Sequence, residues 1–155
     1  MRLTRFVPIA LALVAAITAT SSATASTRSE HFSLITTSTS ATNHDFSAIA
    51  TGAFADGGTA LVNNGTVTMR LSAGTLTLAL TANHQSTTGA DCAHTKTIRG
   101  TYQITGGTGA YAAMQGSGNV VFTVTVVEAN TNGTCSTAPI AAQGIVTAEG
   151  AVSQP

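Results

Sequence analysis

The sequence of 155 residues contains no tryptophan, three prolines and two cysteines. Charge is scarce too: six basic and six acidic side chains cancel and make up 8% of the chain. So few cations cannot neutralise a run of phosphates, which argues against nucleic acid as a partner. Little charge combined with 43% apolar residues also argues against a disordered tail. Helical stripes are missing beyond residue 25, where Gly52, Gly57, Gly58, Gly74, Gly89 and Gly106 interrupt every candidate. A length of this order fits one domain, and neither a boundary nor an internal repeat is visible.

The first 25 residues read as an address. Arg2 and Arg5 precede an almost continuously apolar run from Phe6 to Ala19, and Ala23-Thr24-Ala25 follows. This is the pattern of a signal peptide cleaved after Ala25. The run falls short of the roughly 20 residues that cross a bilayer as a helix, although an uncleaved anchor is the alternative. No cysteine follows the site to carry a lipid, and the two arginines are not adjacent. The remaining chain, 26–155, keeps four cations and six anions, a net charge of −2. It is expected to be secreted or held at the cell surface, with no membrane span of its own.

Export changes how the cysteines read. Cys92 lies in a polar stretch after Thr87-Thr88-Gly89, and Cys135 in another after Asn132-Gly133. An even count in an oxidising compartment favours a disulfide, with both residues in loops at one end of the domain. Without that bond, Cys92 and His94 could share a strand face and hold a metal; three or four convergent ligands are needed, and none beyond these two suggest themselves. The reading therefore includes no metal and no other cofactor.

What the chain has in abundance is alternation. Val67, Met69 and Leu71 share one face of a strand, and Leu76, Leu78 and Leu80 share a face of the next. Ser72-Ala73-Gly74 between them reads as a hairpin loop. Further strands are expected over 32–37, 45–51, 95–105, 120–128 and 141–152. The fold class is all-β. About seven or eight strands joined by short turns suggest a single antiparallel up-and-down barrel, which hides its apolar face and removes its edges; a sandwich is the alternative.

Residues 100–118 form a glycine-rich stretch. Gly107-x-Gly109-x-x-Ala112 formally matches a dinucleotide fingerprint, but that motif needs a helix N-terminus to hold the pyrophosphate. Only 110–115 could be helical before Gly116 and Gly118. The stretch reads instead as a strand connection in which Gly106, Gly107 and Gly109 permit positive φ and Tyr111 folds under a short turn as a plug. Gly116 and Gly118 would let the next strand begin in a bulge.

Gly106, Gly107, Thr108, Gly109, Tyr111, Gly116 and Gly118 together resemble the allene oxide cyclase and dirigent barrel superfamily, and in particular its small exported bacterial members. The resemblance covers roughly 45–150 and is specific over 100–118. It implies an eight-stranded antiparallel barrel with an apolar interior, often oligomeric, so a homo-oligomer is a further expectation. It supplies no catalytic residue: the glycine motif is architectural, and the family's pocket side chains do not map onto positions here.

An eight-stranded barrel is wide enough to be filled by side chains or to hold one small ligand. Phe46, Met69, Leu78, Tyr102 and Phe122 are the candidate interior residues against a small apolar or amphipathic ligand. Lys96 and Arg99 could attract a carboxylate at the rim, although a solvated face suits them equally. An isomerase or cyclase of the family's type requires an inward titratable group, for which Asp45, Arg70 and Glu149 are candidates. A surface protein with no ligand is the third reading. The carboxylates otherwise read as solvated strand ends.

Overall fold

The computed structural model describes residues 26–38 and 45–154. The expected signal peptide and its expected cleavage after Ala25 lie outside the described residues. Eight strands follow one another: β1 (Ser26–Ser38), β2 (Asp45–Gly52), β3 (Asp56–Asn63), β4 (Thr66–Leu71), β5 (Gly74–Ala90), β6 (Ala93–Gly107), β7 (Gln115–Thr131) and β8 (Thr134–Gln154). Each pairs antiparallel with the next, and β8 closes on β1. The up-and-down barrel expected from the alternation is what forms.

The alternation sorts side chains as its period of two requires. Phe32, Leu34, Phe46, Ala48, Ala50, Val67, Met69, Leu76, Leu78, Tyr102 and Ile104 are all buried in one core. Their neighbours Ser33, Thr68, Thr77 and Gln103 stand at positions between these inward ones. β3 has no such signature in its Asp56-Gly57-Gly58-Thr59, yet it pairs with both β2 and β4. Gly58 is required there by space: a Cβ would lie 1.9 Å from the Arg70 carbonyl oxygen.

The four later strands run well past β2, β3 and β4. β5 through β8 have 17, 15, 17 and 21 residues, while β2 through β4 have 8, 8 and 6. Most of the polar stretch before Cys92, read as loop from Thr87, is strand: it pairs with β6 as far as Ala90 opposite Ala93. Threonine explains the difference, because its branched side chain suits an extended backbone even where nothing is buried. Cys92 therefore sits in the tight turn between β5 and β6, and Cys135 is the second residue of strand β8 rather than part of a loop. Their sulfurs are bonded, joining the tips of two hairpins.

The glycine stretch differs in detail from its sequence reading. A single 3-10 turn, Gly109–Tyr111, links β6 to β7, and Tyr111 is buried beneath it. Only Gly109 takes positive φ, at 60°. Gly107 is demanded by close approach, since a Cβ would lie 2.2 Å from the Tyr111 carbonyl oxygen. No bulge occurs at Gly116 or Gly118; β7 pairs with β8 in unbroken register from Gln115 to Val127. Register breaks fall elsewhere, at Thr77/Leu78, Ala82/His84 and around Glu128. No helix among the described residues is long and apolar enough to cross a membrane.

Candidate ligand cavity

The two ends of the barrel are built differently. At one end lie the β2–β3 connection, the β4–β5 turn and the 3-10 turn, and all three converge on Asp56. Its carboxylate accepts hydrogen bonds from the backbone N–H of Gly57 (2.7 Å), Ser72 (3.1 Å) and Ala73 (3.1 Å), from the Ser72 hydroxyl, and from the Tyr111 hydroxyl. The Ser72 and Tyr111 hydroxyls, more than anything else, hold this carboxyl well below its ordinary range. The Tyr111 hydroxyl is pushed up, by burial first and by Asp56 second. The Tyr111 ring packs on Phe54 with centroids 4.9 Å apart, and Phe54 meets Phe32 at 6.2 Å. This end is a plug. Asp56 is part of it and not a solvated strand end.

Just inside the plug, one inward row carries Glu30 opposite Gly150, and Gly118 opposite Tyr102. Glu30 is 2% exposed. One carboxylate oxygen accepts the Phe54 N–H at 3.2 Å, while the other and the Tyr102 hydroxyl have no partner. Burial raises the Glu30 carboxyl above its ordinary value, and burial together with the Glu30 charge pushes the Tyr102 phenol up to about 12. Glu30 is the inward titratable residue that the sequence reading missed. The signal was available, because Glu30, Phe32 and Leu34 alternate. The three groups considered earlier do not point in: Asp45 and Arg70 are exposed, and Glu149 faces out to pair with His31 at 3.0 Å.

The opposite end is hollow. A cavity of about 470 Å³ opens between the β3–β4 turn and the extensions of β5 through β8. Phe46 and Phe122 form its floor, their rings edge-on at 6.2 Å. Val62, Leu80, Ile98, Val120, Val124 and Val126 supply apolar wall. Ala82, Gly100, Ala142 and Gly144 add little bulk to the lining. Gly100 cannot carry even a methyl group, since a Cβ would lie 2.0 Å from the Thr81 carbonyl oxygen. Polar groups are few and uncharged: Thr36, Asn64, Thr81 and Gln143.

Of the five interior candidates, Phe46 and Phe122 line this cavity. Met69, Leu78 and Tyr102 do not; they are 0, 1 and 2% exposed and fill the barrel between cavity and plug. Lys96 occupies the register position opposite the cavity-lining Val124, beyond Ile98, and is exposed. Arg99 belongs to the outward set. Cys92 is bonded to Cys135, so the Cys92–His94 pairing has no thiolate to offer a metal, and no cluster of three His, Cys, Asp or Glu side chains suited to a metal ion occurs among the described residues. Compared with models of known protein families, with curated proteins and with solved structures, the chain matches none.

Proposed function

We propose that this protein is an exported carrier that holds one small apolar or weakly amphipathic, uncharged molecule in the open half of its barrel. The observation that carries the reading is the cavity itself. Its volume of about 470 Å³ lies within the range of small-molecule sites, and its wall is apolar with no charged residue. An apolar wall of that size open to water on a small protein calls for a ligand. The disulfide between hairpin tips fits an oxidising compartment outside the cytoplasm. The resemblance of the glycine stretch to ligand-holding barrels of the allene oxide cyclase and dirigent type supports the same reading.

Binding is the test. Phenylnaphthylamine, a neutral fluorescent probe, is expected to brighten on mixing with the protein and to be displaced by decanol more readily than by decanoate. Val124→Phe, which fills the cavity from its wall, should abolish the signal and leave the fold intact by circular dichroism. Unchanged binding in that variant removes the cavity as the site.

An isomerase or cyclase is the second reading, and buried Glu30 is the feature that favours it. Glu30 is 2% exposed and does not line the cavity: of the next inward row, Phe32–Ala148–Val120–Gly100, only Val120 and Gly100 reach it, so a bound molecule would have to displace core side chains to reach the carboxylate. That barrier is why binding is preferred to catalysis. Turnover of a bound compound that disappears in Glu30→Gln would reverse the preference.

A further inference from the structure

A barrel has no edges where all its strands run together, but β5 outruns β4. The β4–β5 ladder ends with Thr66 opposite Ala79, and the Leu80 N–H donates to the Gly65 carbonyl at 2.7 Å. Beyond that point β5 continues to Ala90, paired on one side with β6 from His84 opposite Arg99 to Ala90 opposite Ala93. Among the described residues no strand lies on its other side. The run His84-Gln85-Ser86-Thr87-Thr88-Gly89-Ala90 is exposed throughout. About half of its backbone N–H and C=O groups point to the open side, where they can template another strand.

Edges of monomers are usually blunted by lysine, proline or an inward charge. This run has no Lys, Arg, Asp, Glu or Pro. The start of β8, which has no other described strand on its far side, is blunted: it contains Pro139, and the Ala138 N–H is turned back onto the Ser136 hydroxyl at 3.0 Å. Register breaks around Glu128 distort the same region.

We propose that the β5 edge over 84–90 is the interface of a homodimer, in which two copies pair β5 to β5 antiparallel about a two-fold axis. The asymmetry between the two edges selects this arrangement. Head-to-tail growth would need the β8 edge to accept β5, and Pro139 withholds a donor there. A β5-to-β5 contact uses one edge from each copy and closes after two. The side chains suit it as well: Gln85, Ser86, Thr87 and Thr88 each donate and accept, so each run complements its own copy with no like charges opposed. The inference is independent of what the cavity holds.

Sedimentation equilibrium and hydrogen exchange on the disulfide-bonded protein test it. The wild type should be a dimer, and those amides of 84–90 that face away from β6 should lose protection on dilution in step with its dissociation. The double variant Ser86→Lys with Thr88→Lys should be monomeric, as should Ser86→Glu with Thr88→Glu. Mixing the two should restore a one-to-one dimer, which a folding defect could not do. A wild type that stays monomeric, including one that accepts an added extended peptide at this edge instead, overturns the proposal. So does a dimer that survives both double variants.

Discussion

Replacing both Cys92 and Cys135 by alanine should cost about 4 kcal/mol of stability. The bond spans 43 residues of sequence, and closing a loop of that length in the unfolded chain accounts for roughly this amount in the chain-entropy model. The native side should change little. β6 and β7 remain paired from Ala93 opposite Val127 to Gln103 opposite Ser117, and the Glu128 N–H still reaches the Cys92 carbonyl at 2.7 Å through backbone alone. The two hairpins therefore stay joined without their sulfurs, and the effect falls on the unfolded state. For roughly 130 residues at about 2.1 cal/mol/K each, the unfolding entropy is near 0.27 kcal/mol/K, so the melting temperature should fall by roughly 15 °C. Calorimetry on the oxidised wild type and the double variant reads this directly. Urea unfolding should show a larger m-value for the variant, because its denatured chain is freer to expand. A fall of only a few degrees with an unchanged m-value would refute the reasoning. A fall accompanied by loss of probe binding would refute it differently, by showing that the bond props up the native cavity wall.

The carboxylates at the plugged end make stability depend on acid in two opposite senses. Glu30 is raised from 4.5, so the folded state binds more protons than the unfolded state just above that pH; stability should rise as pH falls through this window, and Glu30→Gln should remove the slope and stabilise the protein at neutral pH. Asp56 is lowered from 3.8, so its contribution is complete above that value and is lost as pH falls below it; Asp56→Asn should be less stable at neutral pH and lose the acid-side decline, both read from urea midpoints against pH. The neighbouring glycines should part company under calorimetry: a Cβ on Gly106 meets nothing within 4 Å, so Gly106→Ala should stay within about 0.5 kcal/mol of wild type, whereas Gly107→Ala drives a methyl into the Tyr111 carbonyl and should cost several times more.

Much of the barrel was legible because inward and outward residues alternate cleanly in the short strands. Phe46, Ala48 and Ala50 face in together, as do Val67, Met69 and Leu71. β3 was not legible, because Gly57 and Gly58 break the apolar pattern, and the reason for Gly58 lives in a neighbouring strand, the Arg70 carbonyl. Glu30 was hidden by starting its strand two residues late. The cavity lining was legible in part: Phe46 and Phe122 line it. Met69, Leu78 and Tyr102 look like pocket walls, but bulk is what closes a barrel. Ala82, Gly100 and Gly144 add little bulk to the lining, and they come from three strands whose registers no local pattern fixes. Asp56 belongs to the same class, since its donors Ser72 and Tyr111 lie 16 and 55 residues away in sequence.

Strand length and residue size together explain why one end is solid and the other hollow. Where all eight strands run side by side, Phe32, Met69, Leu76 and Tyr102 meet across the axis and exclude water. Past the ends of β3 and β4 the later strands continue, with β1 beside β8 as far as Ser38 opposite Ala142, and inward side chains such as Ile98, Val124 and Val126 line the open cavity. Glycine at 100 and 144 and alanine at 142 add almost no side chain to cover that wall. An uncovered wall forfeits about 25 cal/mol for each Å² of apolar surface left in water. A molecule seated against it recovers that free energy and couples occupancy to stability by mass action. The plug contributes nothing to such a wall directly. Its role is to hold the barrel closed with side chains and backbone donors remote from the mouth, so that the open half can stay unfilled without the fold collapsing into it.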